Sequence, residues 1–275
     1  VFRNLAVTGD EVVTRHRSSN FGSPHDWLHR VEADVIFAFF GFNESFKGSA
    51  GLAGFKEDLT NFIVEAQAMN YGGDGAPRIV LISPIANERH RDRNFHVPSE
   101  NNTNIELYTR AMSEVASEQG VGFVNLFEPS RELFAAAAGR NNSLTINGLH
   151  LGDEGNELLA PVVFEGLFGE PAPAGDFEEL RSAINEKNHQ WHQRYRTIDG
   201  YNVYGGRSAL AYRPDESRFI NDRTPEPPFL SNYQVMQEEM AQRDVMTANR
   251  DQRVWAIARG GDLEITDDNL PPVTP

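Results

Sequence analysis

The sequence contains no cysteine in its 275 residues. This absence excludes disulfide bonds, thiolate catalysis and cysteine-ligated metal sites. It is compatible with any compartment, including an oxidising one. The sequence also lacks an apolar run near the roughly 18 residues of a membrane span, and it shows no signal peptide. It opens on Val1 within a predicted strand, without Met, so we expect it to be a fragment of a longer chain.

Positive charge is scarce as well. Lys and Arg number 25 against 40 Asp and Glu, which gives a formal net charge of −15. A chain without a basic patch cannot neutralise phosphates, so nucleic acid is not expected as a partner. The length suits one large domain with an appendage, or two small domains.

The stretch that organises the sequence is the apolar run over residues 34–40, followed at once by the polar loop GFNES. A short apolar run bounded by turn residues predicts a strand buried on both faces in a parallel sheet. Polar residues just past the carboxyl end of such a strand lie where α/β proteins place their sites. Asn43 could direct its side-chain amide into a pocket there, or it could cap a helix beginning near Ser49.

Strands and helices alternate through the first two-thirds of the chain. The predicted strands are residues 2–7, 34–40, 78–83 and 122–127, and the main predicted helices are residues 52–69, 102–119, 131–138 and 154–168, the last capped by Asp153. This order predicts an α/β fold, a three-layer α/β/α sandwich around a flavodoxin-like parallel sheet.

The composition changes at residues 170–175, EPAPAG, which read as a linker. Beyond it we predict helices over 177–191 and 233–249, with Tyr- and Gly-rich or irregular chain between them. The end of the sequence, DDNLPPVTP, is typical of an extended linker. The predicted organisation is an α/β domain over residues 1–169, a helical and irregular appendage over 170–266, and a linker over 267–275.

Three short motifs occur in a fixed order: NLAVTGD at residues 4–10, GFNE at 41–44, and NGLHL at 147–151 before a helix. With the strand pattern, they resemble three of the four blocks of the SGNH hydrolases, the GDSL-type esterase and lipase superfamily, over about residues 1–168. The resemblance implies a sheet of SGNH type and hydrolysis of an ester, for example an acyl group on a carbohydrate. It implies no metal or organic cofactor.

The resemblance also implies roles for single residues. Gly9 matches the block whose backbone N–H binds an oxyanion, and Asn43 matches the block whose side-chain amide donates to the same oxyanion. Such a donor contributes on the order of 3 kcal/mol to the transition state. His150 matches the general base. Without the resemblance, Gly9 is compatible with an ordinary turn and His150 with a structural histidine.

The sequence departs from the family pattern at two places. The Gly-Asp-Ser block with the nucleophilic serine is absent, and the family places it before the position of Val1. Asn147 stands where the family has Asp. An Asn can hydrogen-bond the imidazole, but it does not stabilise the imidazolium and can select the wrong tautomer; the same exchange in a serine protease costs about ten-thousand-fold in rate. The alternative function is therefore a non-catalytic module that binds a carbohydrate or a partner.

The absent block has a structural consequence. In the family's strand order, 2-1-3-4-5, the absent strand lies between residues 2–7 and residues 34–40. Its removal leaves two strand edges without backbone partners. We therefore expect the chain to be stable only within a longer polypeptide, or residues 2–7 to pair directly with residues 34–40.

Glu44 and Trp191 are the predicted substrate-binding residues. Trp191 lies in KNHQWHQRYR, where aromatic, His and Arg side chains could line a carbohydrate cleft. Alternatively, Trp191 and Tyr195 could pack the appendage onto the α/β domain. His90, Asp92 and His96 suggest a metal loop, but their spacing matches no known metal site, so no metal is predicted.

Residues 199–207 and 244–250 are similar to the region that follows an SGNH-like domain in large bacterial multidomain proteins. In those proteins, a sugar-dehydrogenase-like propeller and a c-type haem module come later. This resemblance implies downstream domains in a longer parent chain, and export to the periplasm or outside the cell.

Overall fold

The computed structural model describes residues 1–89, 98–140, 142–213 and 218–274. They form two compact units. The first, here the α/β unit, comprises Thr8–Arg15 and His25–Ala174, and the second, here the C-terminal unit, comprises Val1–Val7, His16–Pro24 and Gly175–Pro275. The predicted domain boundary near residue 170 remains a prediction.

The α/β unit contains a three-stranded parallel sheet in the order β1-β2-β3. Its elements are α1 (Pro24–Arg30), β1 (Val35–Phe39), α2 (Phe42–Ser45), a 3₁₀ turn (Gly48–Gly51), α3 (Leu52–Gln67), β2 (Arg78–Ile82), α4 (Pro98–Gln119), β3 (Gly122–Val124), α5 (Phe127–Gly139) and α6 (Asp153–Phe168). Val35 lies opposite Arg78, and Val80 lies opposite Gly122. The predicted α/β class with a parallel sheet is confirmed.

Helices cover both faces of this sheet because successive strand side chains point in opposite directions. Ile79 and Leu81 of β2 pack in a core with α3 and α4. Ile82 packs in a second core with Val124 and with Leu159 of α6. Burial of each such side chain contributes about 1.5–3 kcal/mol, so β2 is held from both sides. The result is the predicted three-layer arrangement.

β1 is less buried than its apolar sequence predicts. Only Ala38 is buried within it, and Phe39 is 58% exposed. In the described part of the chain, β1 pairs with β2 and forms an end of the sheet. The prediction of burial on both faces is therefore wrong for β1, since an end strand has less covering structure than a central one.

Several predicted boundaries also need correction. Asn43 lies inside α2, so it does not cap a helix near Ser49. Gly152, not Asp153, is the N-cap residue of α6, and Asp153 lies in the first turn, where its charge favours the helix N-terminus. The strand predicted to reach residue 127 ends at Val124, because Phe127 already begins α5.

The C-terminal unit contains α7 (Glu178–Tyr195), α8 (Gly200–Val203), β4 (Leu210–Arg213), β5 (Arg218–Asn221), β6 (Leu230–Ser231) and α9 (Asn232–Ala258). Helices α7 and α9 pack together, and the strands form an antiparallel sheet in the order β5-β4-β6. The prediction of irregular chain over this sheet is wrong. Across the described ranges, no helix has both the length and the apolar character needed to cross a membrane.

Residues 2–7 form no strand. Their carbonyl groups accept hydrogen bonds from side chains of α7: Lys187 Nζ donates to Phe2 O (3.0 Å), Trp191 Nε1 to Asn4 O (2.8 Å) and Tyr195 Oη to Leu5 O (2.7 Å). Four helical residues rise about 6 Å, close to the roughly 6.6 Å of two extended residues, so Lys187 and Trp191, one turn apart, can reach the carbonyls of Phe2 and Asn4. Both the predicted strand and its pairing with residues 34–40 are therefore wrong.

Candidate active site

The candidate site lies at the carboxyl edge of the parallel sheet. Asn43 follows β1, and Asn87 and Glu88 follow β2. Because the carboxyl ends of parallel strands meet at one edge, these residues share that edge. Gly148, between Asn147 and His150, is hydrogen-bonded to Asn87 and Glu88. The sheet therefore brings the Asn43 loop and the His150 loop to the same edge.

Asn43 lies next to the turn that contains Gly9. Its Nδ2 donates to the carbonyl oxygen of Asp10 at 3.3 Å. An amide NH₂ carries two donor hydrogens, and this bond uses one of them. Gly9 is exposed with a φ of +86°, and the position of a Cβ there would meet no atom within 4 Å. A left-handed glycine beside open space permits close approach of a ligand to its backbone.

Glu44 connects the two segments that carry these groups. Its side chain is buried, and its carboxylate accepts from Val12 N and Gly41 N, each at 2.9 Å. Burial raises the pKa of Glu44, while the backbone hydrogen bonds oppose the rise. Both carboxylate oxygens thus accept backbone hydrogen bonds, and the bond to Val12 N connects the segment of residues 9–12 to α2. Its predicted contact with substrate stays a prediction.

His150 and Asn147 form a defined pair. Asn147 Oδ1 accepts from Leu149 N (3.2 Å) and His150 N (3.0 Å), and it lies 3.1 Å from His150 Nδ1. Two backbone N–H donors identify this atom as the oxygen of the amide. In the neutral imidazole, an acceptor oxygen facing Nδ1 favours the tautomer with the proton on Nδ1 and the lone pair on Nε2. The imidazole is exposed, so this lone pair is accessible. Asn147 thus selects the tautomer that a general base requires.

Three residues behind this loop were not identified from the sequence: Asn87, Glu88 and Thr145. None of the three lies in the motifs at residues 4–10, 41–44 and 147–151. The available signal was the position of the Asn-Glu pair, shortly after the predicted strand over residues 78–83, where α/β proteins place functional groups.

Two serines of the α/β unit, Ser45 and Ser83, have local hydrogen-bond partners. Ser45 Oγ donates to Phe42 O at 2.6 Å. Ser83 Oγ donates to Pro84 O at 3.1 Å and accepts from Leu126 N at 2.8 Å. These bonds give both hydroxyl groups a role in chain packing. Neither lies in a Gly-Asp-Ser motif.

Trp191 belongs to the other unit, on α7. It is 4% exposed, it stacks on Tyr195 with ring centroids 5.9 Å apart, and Arg3 lies over its ring. Its indole N–H is bonded to Asn4 O. These contacts describe a packing residue of the C-terminal unit, and the predicted contact of Trp191 with substrate stays a prediction.

Within the ranges that the structure describes, no three His, Asp or Glu side chains are grouped as metal ligands would be. The suggested loop of His90, Asp92 and His96 lies outside the described residues.

The family assignment comes from comparison with known proteins. The model of the GDSL-like lipase/acylhydrolase family matches residues 1–158, more than half of the chain. The chain belongs to this family. The predicted SGNH resemblance is therefore confirmed, and the site described above lies within the matched residues. The comparison with curated proteins gives no significant match.

Solved structures of two esterases are similar to this chain. The acetylxylan esterase Axe2 from Geobacillus stearothermophilus is 15% identical, with a TM-score of 0.40 over 54% of this chain and 65% of the esterase. The acetyl xylan esterase AlAXEase is 21% identical, with a TM-score of 0.35 over 50% of this chain and 69% of that one. The chain thus spans slightly less than two thirds of the length of Axe2.

Proposed function

We propose that this chain supplies the general base and the oxyanion-binding groups of a serine ester hydrolase, and that its substrate is an acylated carbohydrate. One observation carries the proposal: Asn147 Oδ1, fixed by two backbone N–H groups, faces Nδ1 of the exposed His150 at 3.1 Å. Membership of the GDSL-like lipase/acylhydrolase family supports the same chemistry.

In the proposed mechanism, the attacking serine belongs to a segment outside residues 1–275. His150 Nε2 takes the hydroxyl proton while the serine oxygen bonds to the ester carbonyl carbon. The resulting oxyanion accepts hydrogen bonds from Gly9 N–H and Asn43 Nδ2. When the carbon–oxygen bond to the leaving alcohol breaks, the imidazolium returns the proton to that oxygen. In the second half, His150 takes a proton from a water molecule whose oxygen bonds to the acyl carbon; the bond from that carbon to the serine oxygen then breaks, the imidazolium returns the proton to the serine oxygen, and the acid leaves. No metal or organic cofactor takes part.

Asn147 makes this hydrolase slower than one with Asp at the same position. Its oxygen orients the imidazole, but it carries no negative charge to stabilise the imidazolium that forms in each step. The proposal therefore predicts measurable but low esterase activity.

The second candidate function is a non-catalytic module that binds a carbohydrate or a partner. Two observations favour it: the neutral Asn147 in place of Asp, and the absence of a Gly-Asp-Ser motif from the 275 residues. The retained Asn43 and His150 favour the hydrolase.

Labelling with a fluorophosphonate probe separates the two functions, because only an activated serine reacts. We would treat the natural polypeptide that contains residues 1–275, its His150→Ala variant and, as the matched control, His189→Ala. His189 is exposed on α7, which belongs to the C-terminal unit.

The hydrolase predicts one labelled serine outside residues 1–275, with labelling lost in His150→Ala and kept in His189→Ala. Absence of labelling in the unmodified protein would support the binding module. A labelled serine within residues 1–275 would contradict the proposed origin of the nucleophile.

A further inference from the structure

Glu88 occupies a buried position directly behind the His150 loop. It is 3% exposed, and its carboxylate accepts from Leu144 N (2.9 Å), from Thr145 N (2.8 Å) and from the hydroxyl of Thr145. Three hydrogen bonds to this one side chain thus converge on Leu144 and Thr145, the two residues that begin the loop.

The contact continues through Thr145 to the centre of the loop. Thr145 Oγ1 donates its proton to Glu88 and accepts from Gly148 N at 2.8 Å. The carbonyl oxygen of Gly148 accepts from Glu88 N (2.8 Å) and Asn87 Nδ2 (2.7 Å). Both backbone polar groups of Gly148 are therefore bonded to residues 87–88 or, through one hydroxyl, to the Glu88 carboxylate.

Gly148 separates Asn147 from Leu149 and His150, whose backbone N–H groups bond to Asn147 Oδ1. A displacement of Gly148 changes the direction of these N–H groups. It thereby changes whether Asn147 presents its oxygen or its NH₂ to His150 Nδ1. Glu88 is thus connected to the Asn147–His150 pair through Thr145 and Gly148 without contacting His150.

We propose that Glu88 is a positioning residue for the reaction, acting through Thr145 and Gly148 on the Asn147–His150 pair. This inference rests on the proposed role of His150 as the general base. His150 has the neutral Asn147 beside it where the family has a charged Asp. The orientation of its imidazole therefore depends on neutral side-chain and backbone groups, which Glu88 holds in place.

The test compares two variants that interrupt the contact in different places. Glu88→Gln replaces an acceptor oxygen with an NH₂ that faces N–H or O–H donors. Thr145→Val removes the hydroxyl and keeps the branched shape, while Thr145→Ser keeps the hydroxyl and should rescue. Glu157→Gln on the exposed surface of α6 is the matched charge control.

The first readout is the tautomer of His150, from ¹⁵N chemical shifts of its ring in the natural polypeptide that contains residues 1–275, assigned by comparison with His150→Ala. We expect the Nδ1–H form in the unmodified protein, in Thr145→Ser and in Glu157→Gln. Glu88→Gln and Thr145→Val should give a mixture of tautomers. An unchanged tautomer in both variants would overturn the proposal, whether or not the protein is a hydrolase.

The second readout is ester hydrolysis by the natural polypeptide. Glu88→Gln and Thr145→Val should each lower kcat at least about tenfold with KM within about twofold, because the base is misoriented. In a His150→Ala background, neither change should lower the residual rate further. Equal losses in both backgrounds would assign Glu88 a purely structural role. Esterase activity of the natural polypeptide that His150→Ala leaves unchanged would instead refute the proposed function. The tautomer measurement alone would then test whether Glu88 positions His150.

Discussion

At the scale of single residues, the structure shows how Asn147, which stands where the family has Asp, contacts His150. The sequence left open whether a neutral Asn would select the wrong tautomer of His150. In the structure, the N–H groups of Leu149 and His150 direct its oxygen toward the imidazole. The Asn therefore loses the charge of an Asp but keeps its orienting function.

Gly148→Ala tests whether the His150 loop tolerates a displacement of its backbone. Gly148 has a φ of +87°, and an added Cβ would lie 2.9 Å from Glu88 O and 3.0 Å from Asn87 Nδ2. We expect an esterase rate at least about tenfold lower, since small displacements of a base are costly, and a lower melting temperature. Gly139→Ala, at the end of α5 with nothing within 4 Å of the added atom, is the control and should change neither quantity appreciably. Full activity in Gly148→Ala would show that the loop tolerates a shift.

Glu44 makes a prediction about pH. Its pKa is raised above the reference value of 4.5, mainly by burial. Between these two values the folded protein binds more protons than the unfolded chain, so the unfolding free energy falls as pH rises through that window. A Gln at this position does not titrate. We would measure the unfolding free energy of Glu44→Gln and of the unmodified protein in urea from pH 4 to about pH 7. As pH rises, the unmodified protein should lose unfolding free energy relative to the variant.

The control for this pH experiment is Glu57→Gln, an exposed change on α3. Its difference from the unmodified protein should vary less with pH. Two results would contradict a pKa of Glu44 that is raised by burial. The difference in unfolding free energy between Glu44→Gln and the unmodified protein could stay constant with pH, or the variant could lose unfolding free energy relative to the unmodified protein as pH rises.

At the scale of elements, the sequence predicts the helices and strands whose apolar pattern lies within their own residues. The apolar periods of α3 and α4 and the short apolar run of β2 are complete within their own segments, and the structure reproduces them. Residues 2–7 have a strand-like sequence, but their carbonyls bond to α7, about 185 residues later. No local pattern records such a distant partner.

The candidate site shows the same limit. Gly9, Asn43 and His150 could be proposed because motifs contain them. No motif contains Glu88, and its hydrogen bonds reach residues 144 and 145, which are distant in sequence. The antiparallel sheet of β4, β5 and β6 was missed because its strands have only 4, 4 and 2 residues. Strands this short give too few residues to establish a period of two.

Trp191→Phe tests whether α7 uses this side chain for packing or for substrate. The change removes the N–H donor to Asn4 O and leaves that carbonyl without this partner. We expect the unfolding free energy to fall by about 1–3 kcal/mol, with kcat/KM for a small ester unchanged. Trp255→Phe, at a position 45% exposed, is the control and should lie within about 0.5 kcal/mol of the unmodified protein. Unchanged stability with lost carbohydrate binding would favour the substrate-binding prediction instead.

At the scale of the whole molecule, family membership and net charge act together. The chain belongs to a family of acylhydrolases, and its formal charge of −15 disfavours the approach of anionic substrates. A neutral acylated carbohydrate is not subject to this repulsion. The proposed substrate class is therefore compatible with the electrostatics of the chain as well as with the chemistry of the site.

The central claim is that His150, oriented by Asn147, is the base of an ester hydrolase. The most direct measurement is hydrolysis of p-nitrophenyl acetate by the natural polypeptide that contains residues 1–275, beside His150→Ala, Asn147→Asp and the control His189→Ala. The account predicts a low but measurable rate that His150→Ala abolishes, that His189→Ala leaves unchanged, and that Asn147→Asp raises by restoring a charge beside the imidazolium. The same background rate in all four proteins would contradict it and would leave the binding module as the better account.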